Sequence, residues 1–175
     1  EKVNEKGKES LETEIKKSFT QEVSIAKLKL DSLNKPEELV WVNYDFDILD
    51  PKEDIIYFNP LLASEGYKEN PFKSALRFYP VEMPYGFDRT YNLQMEVPEG
   101  YVVDELPKSM VVKMNEAEEG MFEYRISQSG TSISFRCRVQ LKRAYFDPEE
   151  YEMLREFFNL IVTKESEQIV FKKKK

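Results

Sequence analysis

The sequence predicts a mainly β protein: an antiparallel β-sandwich with an N-terminal helix, and a C-terminal helix followed by a short closing strand. Three observations predict it. Apolar and polar residues alternate with period two in segment after segment, as half-buried strands do. These segments follow one another across short turns rather than alternating with helices, which argues for antiparallel pairing and against a doubly wound α/β fold. The 10 Tyr and 12 Phe suit a pleated, half-buried surface. Alternating strands must bury their apolar sides, and a sandwich closed by the terminal helix is the economical solution.

The elements follow in order. Residues 8–21 read as a helix, with Leu11, Ile15 and Phe19 at four-residue spacing and Glu12 placed to pair with Lys16. Period two then begins at Val23-Ser24-Ile25. It resumes out of phase over Ala26–Leu30, and the slip predicts a bulge. Asn34-Lys35-Pro36 signals a turn. Val40, Val42, Tyr44, Phe46 and Ile48 alternate with Trp41, Asn43, Asp45 and Asp47 before Asp50-Pro51 breaks the strand. Ile55–Phe58 reads as a short third strand.

Pro60, Pro71, Pro80 and Pro84 make 60–87 a long irregular connection, because proline excludes helix interiors and central strands. Alternation returns at Tyr91, Leu93, Met95 and Val97, and Pro98-Glu99-Gly100 turns the chain. Further strands are expected at Met110–Met114, at Phe122-Tyr124-Ile126, and at Ile133–Leu141 after a turn at Ser129-Gly130. Asp147, Pro148, Glu149 and Glu150 form a strong helix start. Tyr151, Leu154, Phe158 and Ile161 mark the apolar face, with Phe157 beside it, to an end near Lys164. Gln168–Phe171 reads as the closing strand. The expected organisation is a helical connector over 1–22 and one module over 23–175. The chain opens on Glu1 rather than Met, and is expected to be a segment of a longer protein.

Composition narrows the functions. The net charge of −7 disfavours nucleic acid and anionic membrane surfaces. The four lysines 172–175 read as a solvated end. No apolar run approaches the ~20 residues of a membrane span. With no His and one Cys, neither a Ser-His-Asp nor a Cys-His arrangement can form within the chain. The glycines are too far apart for a P-loop or a dinucleotide fingerprint. No catalytic residue, cofactor or metal site is assigned. Chemistry by two placed carboxylates stays open in principle, with no pair singled out.

Four features offer candidate sites. Cys137 lies between Phe135 and Val139 on a strand's apolar face and reads as an inert buried thiol. Asp45, Asp47, Asp50, Glu53 and Asp54 are the densest acid cluster; the plainer reading is a solvated edge rather than a calcium site. Arg136, Arg138 and Lys142 share one strand face, where they could meet an acidic partner or pair with acids on a neighbouring strand. Trp41, Tyr57, Tyr67, Tyr79, Tyr85 and Phe87 could build an aromatic platform for a glycan. The plainer reading has the Tyr-Pro pairs around 79–85 packing the connection onto the sheet. Trp41, Tyr79, Tyr85, Phe87, Arg136 and Arg138 are the expected ligand or partner surface.

The second half resembles a known family. The residues that carry the resemblance are Asn70-Pro71-Phe72, Tyr79-Pro80-Val81, Pro98-Glu99-Gly100-Tyr101 and Glu105-Leu106-Pro107-Lys108-Ser109. Pro148-Glu149-Glu150-Tyr151, Leu154-Arg155-Glu156-Phe157-Phe158 and Glu167-Gln168-Ile169-Val170 continue it. From about residue 70 onward the chain is similar to the C-terminal domain of unknown function that follows a transglutaminase-like domain in exported proteins of Gram-negative gut anaerobes. The resemblance implies a periplasmic or cell-surface location. It also implies a non-catalytic interaction module, docking on or positioning the upstream peptidase-like domain of its own chain. The Cys, His and Asp chemistry of that middle domain does not carry over. A carbohydrate-binding sandwich is the alternative.

Overall fold

The computed structural model describes residues 2–19, 23–32, 37–48, 53–62 and 66–174. The expected turn at Asn34-Lys35-Pro36, the break at Asp50-Pro51, the end of the first helix at 20–21 and Lys175 lie outside them. The fold is mainly β, with several antiparallel sheets, an N-terminal helix, a C-terminal helix and a closing strand. It divides into two compact units, Glu1–Lys52 with Leu62–Ser64, and Glu53–Leu61 with Glu65–Lys175.

The smaller unit holds helix α1 (Lys2–Ser18) and the hairpin of β1 (Val23–Asp31) and β2 (Trp41–Ile48). Gly7, at φ 79°, kinks α1; glycine adopts that angle without a Cβ penalty. The expected helix is the part beyond this kink. The expected bulge is present: the β1–β2 register shifts between Ala26 and Lys29, and Lys27 sits at φ 52°. Phe19 packs on Phe46 with ring centroids 5.2 Å apart.

The larger unit is built on a four-stranded antiparallel sheet. Its order is β5 (Phe87–Glu96), β9 (Ser132–Leu141), β8 (Gly120–Ser129) and β7 (Met110–Lys113). β5 begins four residues before the alternation at Tyr91. The β8–β9 turn uses Gly130 at φ 60°, the first central position of a two-residue hairpin loop. One face of its two central strands is core: Phe122, Tyr124, Ile126, Ile133, Phe135, Cys137, Val139 and Leu141 are buried. Each such side chain contributes about 1.5–3 kcal/mol of hydrophobic stabilisation for the larger residues. Gly86 is needed at the entry to β5, because a Cβ there would stand 2.6 Å from the Leu141 carbonyl oxygen.

A second, three-stranded sheet has the order β3 (Ile55–Phe58), β11 (Ile169–Lys173) and β6 (Tyr101–Glu105). The last strand therefore lies at its centre and joins both ends of the unit. Residues 101–105 carry no clean alternation, and the sequence does not predict β6. The closing strand runs to Lys173, so the lysine run is in part a strand, and Lys172, Lys173 and Lys174 are solvent-exposed as expected. Lys172 and Lys173 face Asp104 and Asp54 at 4.0 and 3.9 Å. Two short strands also escape the sequence pattern: β4 (Val81–Glu82) pairs with β10 (Tyr145–Phe146).

Helix α2 (Tyr151–Glu165) follows a short 3-10 turn over 148–150. Glu150 accepts the Asp147 N–H at 2.9 Å, the return bond of a capping box. Its carboxylate, bound first by Arg143, is held below the usual glutamate range. Tyr151, Leu154, Phe157, Phe158 and Ile161 are all buried, as the helical spacing predicts.

Candidate functional site

The irregular connection separates into a packed part and an exposed part. Asn70 fastens the packed part to α2. Its amide donates to the Arg155 carbonyl at 2.9 Å and to Asn159 Oδ1 at 2.6 Å, and its Oδ1 accepts the Phe72 N–H at 2.8 Å. Tyr67 and Phe72 meet Phe158 edge-on, each at 5.1 Å. Tyr151 Oη donates to the Ser74 carbonyl at 2.8 Å. At the other end, the β4–β10 pair and the Met83 N–H donated to the Ala144 carbonyl at 2.8 Å pin the chain again.

Between and just beyond these anchors, large apolar side chains stand in solvent. Leu76 is 76% exposed, Phe78 83%, Tyr79 79% and Tyr85 72%. Arg77 lies along this strip, donating from Nε to the Tyr79 carbonyl at 3.1 Å, with its guanidinium 5.9 Å over the Tyr151 ring. Tyr79 and Tyr85 are therefore not packing residues, which corrects the plainer expectation for them. Proline breaks regular pairing here, so the side chains find no sheet to cover.

The other predicted site residues are dispersed. Trp41 is exposed on β2 in the smaller unit. Tyr57 is exposed on β3, Phe87 is half-buried opposite Leu141, and Tyr67 is packed under Arg89, whose guanidinium stands 4.8 Å from its ring. These six aromatics do not share one element or one sheet. Arg138 reaches both oxygens of Asp88 across the strand pair, at 2.8 and 2.5 Å, and holds that carboxyl below its ordinary range. Arg136 lies 3.6 Å from Glu123 and 3.4 Å from Asn92. Lys142 is exposed at the end of the same segment. Pairing with neighbouring strands thus occupies both arginines. In the acid cluster, Asp45 pairs with Lys27 at 2.7 Å and Asp50 lies outside the described residues. Among the described residues, no three acids, cysteines or histidines come together as a metal site would require.

A buried polar cluster lies where α2 ends, and the sequence reading missed it. Glu165 and Cys137 are each 4% exposed, and the Cys137 thiol donates to Glu165 Oε1 across 3.6 Å. Glu165 Oε2 accepts the Tyr67 N–H at 2.6 Å, and the Glu165 carbonyl accepts from Asn59 Nδ2 at 2.8 Å. Burial, and then the nearby carboxyl, push the thiol well above its usual range, so it is a poor nucleophile. Burial likewise raises Glu165. Lys164, also buried, binds Glu167 at 2.5 Å and lies 4.9 Å over the Tyr124 ring. The Tyr124 hydroxyl has no hydrogen-bond partner among the described residues. One signal could have found Glu165: it stands four residues beyond Ile161, on the same helical face.

None of the curated proteins compared with this chain matches it. A solved structure from Parabacteroides distasonis, described as a "putative protease", is similar at 18% identity with a TM-score of 0.52. The likeness covers 69% of this chain and 24% of that one. At this identity it shows a shared fold. The model of a family described as "Domain of Unknown Function with solved-structure structure (DUF3858)" matches residues 54–171, more than half of the chain, and the chain belongs to that family.

Proposed function

We propose that this chain is a non-catalytic interaction module, whose strip Leu76–Tyr85 docks on an upstream, transglutaminase-like region of its own parent polypeptide. The observation that carries the reading is the strip itself: four large apolar side chains, each more than two-thirds exposed, on a segment anchored at both ends. Exposed apolar surface on a fixed support marks interaction sites, because burying it on a partner costs little ordering entropy. The solved structure of like fold is about four times as long as the stretch matched, so this fold occurs as one part of a larger chain. A chain without His, whose one Cys is buried, has no Ser–His or Cys–His pair of its own, which favours a non-catalytic reading. The resemblance to exported proteins is what supports a periplasmic or cell-surface location for the parent protein.

The test is calorimetric titration of this chain with the separately expressed upstream region, beside the variant Phe78→Ser. Burying one large aromatic contributes about 2–3 kcal/mol, so the variant is expected to bind about 30–150-fold more weakly. Equal binding by the variant, or saturable binding to a glycan array that competes with the upstream region, would overturn the reading.

A further inference from the structure

We propose that Glu165 is a protonation-dependent clasp that fastens residues 66–74, and with them the root of the exposed strip, to the end of α2 and to β9. The functional meaning rests on the docking reading above; the clasp itself rests on geometry. One residue joins three parts of the chain. Its Oε2 holds the Tyr67 N–H, its Oε1 faces the Cys137 thiol of β9, and its own backbone carbonyl is held by Asn59. The approach at Gly66 is close: a Cβ there would stand 3.2 Å from Oε2.

The groups around it decide which protonation state the clasp prefers. Arg89 of β5 lies over the Tyr67 ring and is the cation whose field favours an ionised Glu165. Lys164 stands next in sequence, but its ammonium is taken by Glu167 and directed over Tyr124 of β8. Among the described residues, the Tyr67 ring, the Tyr124 phenol, the Cys137 thiol and the Asn59 amide also lie near it, and all are neutral. Desolvation outweighs the two hydrogen bonds and the Arg89 field, so the folded carboxyl titrates above an unfolded one. The stabilisation it contributes is therefore complete below the ordinary carboxylate range. It is lost as pH rises through the raised value, where the closed clasp would enclose a charge. Opening the segment returns that charge to water and loosens the support of Leu76–Tyr85.

The test is amide hydrogen exchange at Tyr67 and Phe72 in the isolated chain, corrected for intrinsic base catalysis, across about pH 5 to 8. Between the ordinary carboxylate range and the raised folded value, the opening equilibrium is expected to rise by up to about tenfold per pH unit, and to level off above it. Glu165→Gln keeps an acceptor for the Tyr67 N–H without titrating, and its corrected exchange is expected to be flat. A wild-type profile that is flat, or a Glu165→Gln profile that rises like the wild type, overturns the clasp. Should the variant fold poorly, an NMR titration of the wild-type Tyr67 amide decides. A shift that follows the Glu165 carboxyl supports the clasp, and one that does not overturns it. No partner is present in these measurements, so they can fail or succeed independently of the docking titration.

Discussion

Phe158 is the residue on which the packed half of the connection depends most. It is 2% exposed on α2 and meets three rings edge-on: Tyr67 and Phe72 from the connection, each at 5.1 Å, and Phe157 at 5.9 Å. Truncating a buried phenylalanine removes its transfer energy and leaves a cavity, together about 3–5 kcal/mol. Each edge-to-face pair adds about 0.5–1.5 kcal/mol beyond burial. Phe158→Ala is therefore expected to lose about 4 kcal/mol. Phe158→Leu, which refills most of the volume without the ring edges, is expected to lose about 1–2 kcal/mol. Urea unfolding measures both. At a slope of about 2 kcal/mol per molar, the midpoint falls by about 2 M for alanine and by less than about 1 M for leucine. A double-mutant cycle with Phe72→Ala should show a coupling above about 0.5 kcal/mol, because the rings touch. An alanine variant within about 1 kcal/mol of the wild type would refute the packing of 67–72 on this helix.

Two further outcomes follow from the buried face of β8 and β9. Tyr124→Phe removes a buried hydroxyl that has no partner among the described residues, so stability is expected to hold or rise by about 1 kcal/mol; a loss above that would reveal a hydrogen bond at that oxygen. The Cys137 thiol is buried and held protonated. Modification by a thiol reagent is expected to be slow in the native protein and to accelerate sharply on unfolding, followed by absorbance; fast native modification would place the thiol at the surface.

Much of the architecture was legible in local pattern. The strands around Tyr91–Glu96 and Ile133–Leu141 alternate because one face meets the core and the other meets water, whereas Trp41–Ile48 forms as a strand although Trp41 and Val42 are exposed, which corrects the expectation of a half-buried face there. The slip near Ala26–Lys29 announced a bulge, and Asp147-Pro148 announced a helix start, since both depend on neighbouring residues alone. β6 was not legible. Val102 and Val103 stand side by side without alternation, and their strand exists because the distant β11 pairs with it. The two-residue β4 and β10 exist for each other in the same way.

The candidate sites were less legible than the fold. Tyr79 and Tyr85 were singled out, yet Leu76 and Phe78, which complete the strip, were not. An apolar residue in a proline-rich connection looks the same in sequence whether it packs or projects. Tyr67 and Tyr79 make the contrast: one lies against Phe158 and the other stands in solvent. For Arg136 and Arg138, pairing with acids on a neighbouring strand was expected and is found, but the sequence could not name the acids, because Glu123 and Asp88 are distant in the chain and adjacent only through β-sheet register.

The sequence by itself determined the β class, the antiparallel habit, the capped terminal helix and the lack of a histidine-based catalytic set. Those follow from period, turn chemistry and composition, which are local or additive. Only the tertiary structure decided that the last strand sits between β3 and β6, that the apolar strip 76–85 is left uncovered, and that a glutamate at a helix end is buried against Cys137 and the Tyr67 amide. Each of these depends on which distant segments share one volume, and a residue's burial is a property of that shared volume rather than of the residue.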